Sequence, residues 1–218
     1  MAKHFAPKKP KPWIWITLTL LLVAALFSAA WLLATPHLDL EQRLAEQNHL
    51  LQIIEDHWQQ LDIDALEEAS SFELSASPSA IQDLNVIGIL SIDRIALRLP
   101  VTEGVSESQL RIALGHVPQT AAIGEVGNAV IAGHRGLVYG QFFYRLAELQ
   151  AGDIIRYETL TGEVFIFAVW GIQQINPDDQ SAFKQPADHC LLTLYTCTPV
   201  NVASHRLLVQ AILISGEE

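Results

Sequence analysis

The chain has 218 residues, half of them apolar, a formal net charge of −11 and two cysteines. This allows one domain of ordinary size with attachments and excludes a disulfide-dense scaffold. The charge is unevenly divided: Lys3, Lys8, Lys9 and Lys11 precede every acid, and the nine scattered cations after residue 36 face all 24 acids. Such a field repels a polyanion and argues against a nucleic-acid partner.

After a basic tail of residues 1–12, the run from Trp13 to Ala34 carries no charge. Its twenty-two residues would span ~33 Å as a helix, enough to cross a bilayer. Trp13, Trp15 and Trp31 lie near its ends, and the lysines precede it, which predicts a single-pass anchor with a cytoplasmic N-terminus. A cleaved secretory signal is the alternative, because Ser28-Ala29-Ala30 offers small residues. The run exceeds the ~7–15 residues of a usual signal core, which favours the uncleaved anchor.

Residues 35–84 read as an acidic helical stalk and linker, with eleven acids and one arginine between 37 and 84. Leu44, Leu51 and Trp58 recur every seven residues beside Leu40, Ile54 and Leu61, an amphipathic or coiled-coil pattern that Gln47 interrupts. Such a helix either spaces a catalytic domain from the membrane or lies on it. Ser75-Ala76-Ser77-Pro78-Ser79 has linker chemistry.

Residues 85–218 read as one globular domain. Short β-type runs dominate it, at 86–92, 95–101, 129–132, 154–157, 164–170, 191–197 and 207–214, with a hairpin turn at Thr161-Gly162. Two helical stretches interrupt them, one capped by Ser106 with Gln109 three residues on, the other over roughly 141–149. The pattern predicts a mostly β barrel with short helices rather than an alternating β/α sheet.

Cys190 and Cys197 lie seven apart in one predicted strand, so their Cα atoms are ~23 Å apart and a bridge between them is excluded. Cys197 ends an apolar strand where it opens into a loop, a good post for a nucleophile, with Thr193 and Tyr195 on its face and Leu192 and Leu194 on the other. A proton carrier is then needed. His134 ends another apolar strand, Val130-Ile131-Ala132-Gly133, and is preferred to His116, which sits in a turn before Pro118. Arg206 opens the last predicted strand, nine residues after the cysteine; if the two strands pair, its guanidinium comes near the sulfur. Cys190 reads as core, and the Asp178-Asp179 pair as solvated rather than a calcium site. No CxxC or HExxH metal motif occurs, so no metal or other cofactor is expected.

Thr193-Leu194-Tyr195-Thr196-Cys197 matches the TLxTC signature of the sortases, Gly133-His134-Arg135 the surroundings of their catalytic histidine, and Ser204-His205-Arg206-Leu207 those of their essential arginine. Ile87-Gly88, Leu99-Pro100-Val101, Gly115-His116-Val117-Pro118 and Gly127-Asn128 extend the resemblance to residues 85–214. The sequence thus resembles the sortases, membrane-anchored cysteine transpeptidases, and most of all those of Gram-negative bacteria. The resemblance implies an eight-stranded sortase barrel over 85–218, with Cys197 as nucleophile, His134 as general acid and base, and Arg206 supporting substrate and oxyanion. Thr196 and Tyr195 become substrate-binding candidates. It also implies a secreted target protein with a C-terminal, LPxTG-like sorting motif, an amine acceptor, and a catalytic domain in the periplasm, anchored in the inner membrane. A thiol endopeptidase and a non-catalytic peptide-binding barrel are the competing readings.

Overall fold

The computed structural model describes residues 12–67, 84–136 and 140–217. The first element is a helix, α1 (Pro12–Glu67). Its side chains from Trp15 to Trp31 are all exposed, Phe27 and Trp31 by more than 70%. Among the described residues no helix is long and apolar enough to cross a membrane. The predicted segment 13–34 is therefore not recovered as a span; its side chains at Ile14 and 32–34 lie outside the description. The basic tail up to residue 11 and the linker residues 75–79 also lie outside the described residues.

Residues 45–218 form one compact unit, and the chain up to Leu44 another. The larger unit is built on eight strands: β1 (Val86–Ile92), β2 (Leu97–Glu103), β3 (Leu114–His116), β4 (Gly127–Ala132), β5 (Ile154–Thr159), β6 (Val164–Ile175), β7 (Cys190–Thr198) and β8 (His205–Glu217). They close into a barrel in the order β1-β2-β3-β4-β7-β8-β6-β5, with β5 pairing back onto β1. Closure removes the exposed edges an open sheet would present. The β2–β3 and β4–β7 pairs are parallel and the others antiparallel. Alternation sends Ala129 and Ile131 of β4, Leu192 and Leu194 of β7, and Leu207 and Val209 of β8 into the core.

The predicted helical stretches are shorter than expected. The capping box is present, Ser106 Oγ accepting from the Gln109 N–H and Gln109 Oε1 from the Ser106 N–H, but the helix it opens, α2, covers only Glu107–Leu110. The second predicted helix, over 141–149, is a turn ending in one 3₁₀ turn at Leu146–Glu148. Its apolar residues Phe143, Leu146 and Leu149 are buried in the barrel core, which produces a helix-like spacing without a helix. Phe142, at φ +41°, also breaks helical geometry.

From Ala45 onward, α1 is part of the barrel unit. Leu50 and Ile54 are buried against Val86 and Ile89, and Trp58 joins them and donates from Nε1 to the Thr159 carbonyl at 3.1 Å. The buried row is thus Gln47, Leu50 and Ile54. It uses the glutamine that interrupts the heptad pattern and leaves Leu44 40% exposed; the side chains of Leu40 and Leu61 lie outside the description. Glu55–Arg98 and Glu46–Arg111 bridge its exposed rims at 3.1 and 3.3 Å. Such exposed pairs contribute at most about 1 kcal/mol each, whereas the fully buried Ile54 side chain carries far more. Ile54→Ala is expected to cost ~2–5 kcal/mol and Glu55→Ala less than ~1 kcal/mol, read from urea unfolding of the detergent-solubilised chain. Equal costs would mean that this part of α1 is not docked in solution.

Candidate active site

The neighbourhood of Cys197 is set by strand register. In the antiparallel β7–β8 pair Cys197 stands opposite Arg206, and Thr198 opposite His205. In the parallel β4–β7 pair Ala132 stands beside Tyr195. The pairing continues past the end of β4: the Gly133 N–H donates to the Tyr195 carbonyl at 3.1 Å, and Thr196 Oγ1 donates to the Gly133 carbonyl at 2.7 Å. His134 therefore follows at the level of Cys197. Leu192, Leu194 and Leu207 face the core, so alternation places Tyr195, Cys197 and Arg206 on the outer face, as does Ala132 in its strand. Three neighbouring strands thus deliver Cys197, His134 and Arg206 to one end of one wall.

The histidine follows a closely packed glycine. A side chain at Gly133 would lie 2.6 Å from Leu114 and 2.8 Å from Phe143, so only glycine lets the chain leave β4 here. The His134 carbonyl accepts from the Phe143 N–H at 3.1 Å, and its ring meets Phe142 edge to face at 6.1 Å between centroids. His134 is exposed, Cys197 and Arg206 half-buried. Arg206 Nη1 donates to the carbonyls of Ala203 and His205 at 3.1 and 3.0 Å, which ties the guanidinium to the turn between β7 and β8.

A second wall rises beside β7. Asn128 takes part in two hydrogen bonds with Gln185 at 2.8 and 2.9 Å, donates to the Ala182 carbonyl at 2.8 Å, and accepts from Thr193 Oγ1 at 2.8 Å. These bonds hold the loop before β7 against the sheet, where Phe183 packs on Tyr195 at 5.7 Å between centroids. The result is an outward-facing floor with an aromatic flank, a shape suited to an extended peptide.

The other sequence candidates fall elsewhere. Thr196 is 2% exposed and faces inward, its hydroxyl engaged with Gly133; it positions the histidine turn and does not line the outer face. Tyr195 is half-buried beneath Phe183. His116 is buried, with Nδ1 2.7 Å from Glu103 and Nε2 against Ala121 and Thr120 at 2.9 and 3.0 Å, so both ring nitrogens are committed to structure. Cys190 and Cys197 are both free thiols, and Cys190 is half-buried at the start of β7 rather than in the core. Asp179 caps a 3₁₀ turn by accepting from the Ser181 N–H, a bond that holds its carboxyl below the usual range. Among the described residues no group of three or more His, Cys, Asp or Glu is placed to hold a metal. Sequence reasoning missed the Thr196–Gly133 bond and the enclosure of Arg135 Nε and Nη1, which have no hydrogen-bond acceptor among the described residues. The only signal for the latter was its place next to His134.

A family model described as the sortase domain matches residues 90–214. Sortase A of Bacillus anthracis is 32% identical over 131 residues, covering 59% of this chain and 60% of that protein. Sortase D of Bacillus subtilis (strain 168) is 33% identical over 112 residues, covering 51% and 54%. The matched part thus spans less than two thirds of these relatives' length. Among solved structures, the sortase C of Streptococcus pneumoniae superposes with a TM-score of 0.58 at 27% identity, over 77% of this chain and 91% of that one. The sortase D5 transpeptidase of Clostridium perfringens gives 0.56 at 26%, over 75% and 99%.

Proposed function

Because the chain belongs to the sortase family, we propose that it is a cysteine transpeptidase in which Cys197 is the nucleophile, His134 the general acid and base, and Arg206 the cation that holds the reacting carbonyl. The supporting observation is the register that sets Cys197 opposite Arg206 while the β4 extension brings His134 alongside. The Cys197 thiol gives its proton to His134, and the sulfur attacks a backbone carbonyl of an LPxTG-like sorting motif near the C-terminus of a secreted target protein. The Arg206 guanidinium steadies the negative oxygen that develops. The C–N bond then breaks, and His134 gives its proton to the leaving amine, leaving a thioester on Cys197. An amine acceptor attacks the thioester, His134 takes the amine proton, and the thiolate departs as a new amide forms. Water in place of the amine gives hydrolysis. No step calls for a metal or other cofactor.

The same reading makes the uncharged run of residues 13–34 a single-pass inner-membrane anchor with the lysines in the cytoplasm. It is supported by apolar side chains from Trp15 to Trp31 exposed on every side of their helix. Residues 85–218 are then the catalytic domain, working in the periplasm. Within the family we assign the chain to the Gram-negative class, on its compact β7–β8 turn of six residues, 199–204.

The test is incubation of the detergent-solubilised chain with an LPxTG-like peptide, with and without an added amine, followed by mass spectrometry. A joined product that appears only with amine supports the proposal. Cleavage that ignores the amine identifies a thiol endopeptidase, and binding without cleavage a peptide-binding barrel.

A further inference from the structure

One residue of β4 holds the loop that flanks the site. The loop runs over residues 176–189, between β6 and β7, and most of its residues are exposed. Bonds such as those from the Ser181 N–H to the Asp179 carboxylate and from the Lys184 N–H to the Ser181 carbonyl stay within it. Among the described residues, every hydrogen bond from 176–188 to the barrel wall goes to Asn128. Asn128 Nδ2 donates to the Ala182 carbonyl at 2.8 Å. The Gln185 carboxamide engages both backbone groups of Asn128, accepting from its N–H at 2.8 Å and donating to its carbonyl at 2.9 Å. Asn128 is itself fixed to β7, since its Oδ1 accepts from Thr193 Oγ1 at 2.8 Å, and the two residues are 2% and 0% exposed. Asparagine disfavours strands and its carboxamide is costly to bury unless matched, so the bonds it makes account for the residue type.

The two pinned residues, Ala182 and Gln185, flank Phe183, whose carbonyl also accepts from Gln185 Nε2 at 3.3 Å. Ala182 packs with Ile175 and Leu208. Such apolar contact is non-directional, so it holds the loop down without deciding where Phe183 stands; the bonds to Asn128 are directional and do decide it. Phe183 stands against Tyr195, and Cys197 follows two residues later on the same face, about 7 Å along the strand. Thr193, two residues before Tyr195, is fully buried, whereas Cys197 is half-buried. The outer wall is thus covered at Thr193 and flanked at Tyr195, and an extended peptide that brings its reacting carbonyl to Cys197 passes beside Phe183. Resting on the transpeptidase reading above, we propose that Asn128 and Gln185 are positioning residues for the peptide substrate: their clasp holds Phe183 as a wall already in place. A wall already in place spares the peptide the cost of ordering it on binding. Loss of the clasp therefore weakens capture of the peptide and leaves the chemistry at Cys197 intact.

The experiment uses the full chain in detergent and an LPxTG-like peptide, with the rate of thioester formation followed by mass spectrometry over a range of peptide concentrations. Gln185→Ala is expected to raise the half-saturating concentration about three- to tenfold, the scale of one ordinary hydrogen bond. Its maximal rate should stay within about twofold, the mark of lost capture rather than lost chemistry. Phe183→Ala should raise the half-saturating concentration by about tenfold or more, the scale of one lost aromatic contact. Because the clasp acts through Phe183, the double variant should lie within about twofold of Phe183→Ala alone. Effects that multiply in the double variant overturn the inference, since Gln185 would then act independently of Phe183. An unchanged half-saturating concentration in either single variant overturns it too, as does a fall in maximal rate that accounts for the whole effect of Gln185→Ala. Asn128→Ala should follow Gln185→Ala; if that variant does not fold, the cycle on the exposed Gln185 still decides. A chain that forms no thioester in its unaltered state overturns the transpeptidase reading itself, and the inference with it.

Discussion

Cys197→Ala is expected to lower peptide cleavage by at least about 10⁴-fold and to remove the thioester adduct from the mass spectrum, while Cys190→Ala stays within about twofold of the unaltered chain. The two thiols are chemically alike, half-buried and on one strand, so the comparison isolates position. Cys197 has Arg206 across β8 and the histidine turn beside it, whereas Cys190 is paired with Gly127 at the other end of the same ladder. Covalent catalysis fails outright without its nucleophile, because no neighbouring group can form the acyl intermediate. Equal loss in both variants would count against Cys197 as the nucleophile.

His134→Gln is expected to slow cleavage of the peptide by ~10²–10⁴-fold, the usual contribution of one general acid–base group. A second substrate identifies which proton matters. An aryl thioester of the same peptide expels a leaving group that needs no protonation, so His134→Gln should recover at least about tenfold of its lost acylation rate on it. Cys197→Ala should recover none. If His134→Gln is equally impaired on both substrates, the histidine is not the acid for the leaving group. His116→Gln serves as the contrast: its ring nitrogens are engaged by Glu103, Ala121 and Thr120, so it should lower stability and leave the ratio between the two substrates unchanged.

The sequence was most legible where local pattern and tertiary role agree. β1 matches its predicted bounds, and β4, β7 and β8 contain theirs, because alternating apolar residues face a closed core. The turn at Thr161-Gly162 follows from a glycine at φ +85°. β3 was missed, since Leu114–His116 is too short to show a period. β4 begins two residues early, at Gly127-Asn128, with residue types that disfavour strands; Asn128 is there because its side chain ties down the Ala182 loop. β6 runs to Ile175 because its ladder with β8 slips between Ile166 and Phe167 and between Val169 and Gly171. The slips break the alternation on which strand length is read.

The candidate site shows the same division. Cys197, His134 and Arg206 could be put forward from the sequence because each lies at a strand end inside a motif. Their neighbourhood was not: the buried Thr196 hydroxyl on Gly133 depends on which strands become neighbours. Nor could a heptad pattern announce that Gln47 would join the buried row of α1, since the docking surface is made by β1 and the β5–β6 turn.

The parallel pairing of β4 with β7 also bears on when Cys197 and His134 come together. Thr196 and Gly133 are 63 residues apart, and β5, β6 and the loop before β7 are synthesised between them. Parallel neighbours require a long crossover, and contacts this distant form late because loop closure must first be offset by other contacts. The thiol and the imidazole therefore come together only once this long-range pairing is made. Before β4 and β7 pair, Cys197 and His134 are apart, and closure of the barrel is what brings them to one end of one wall.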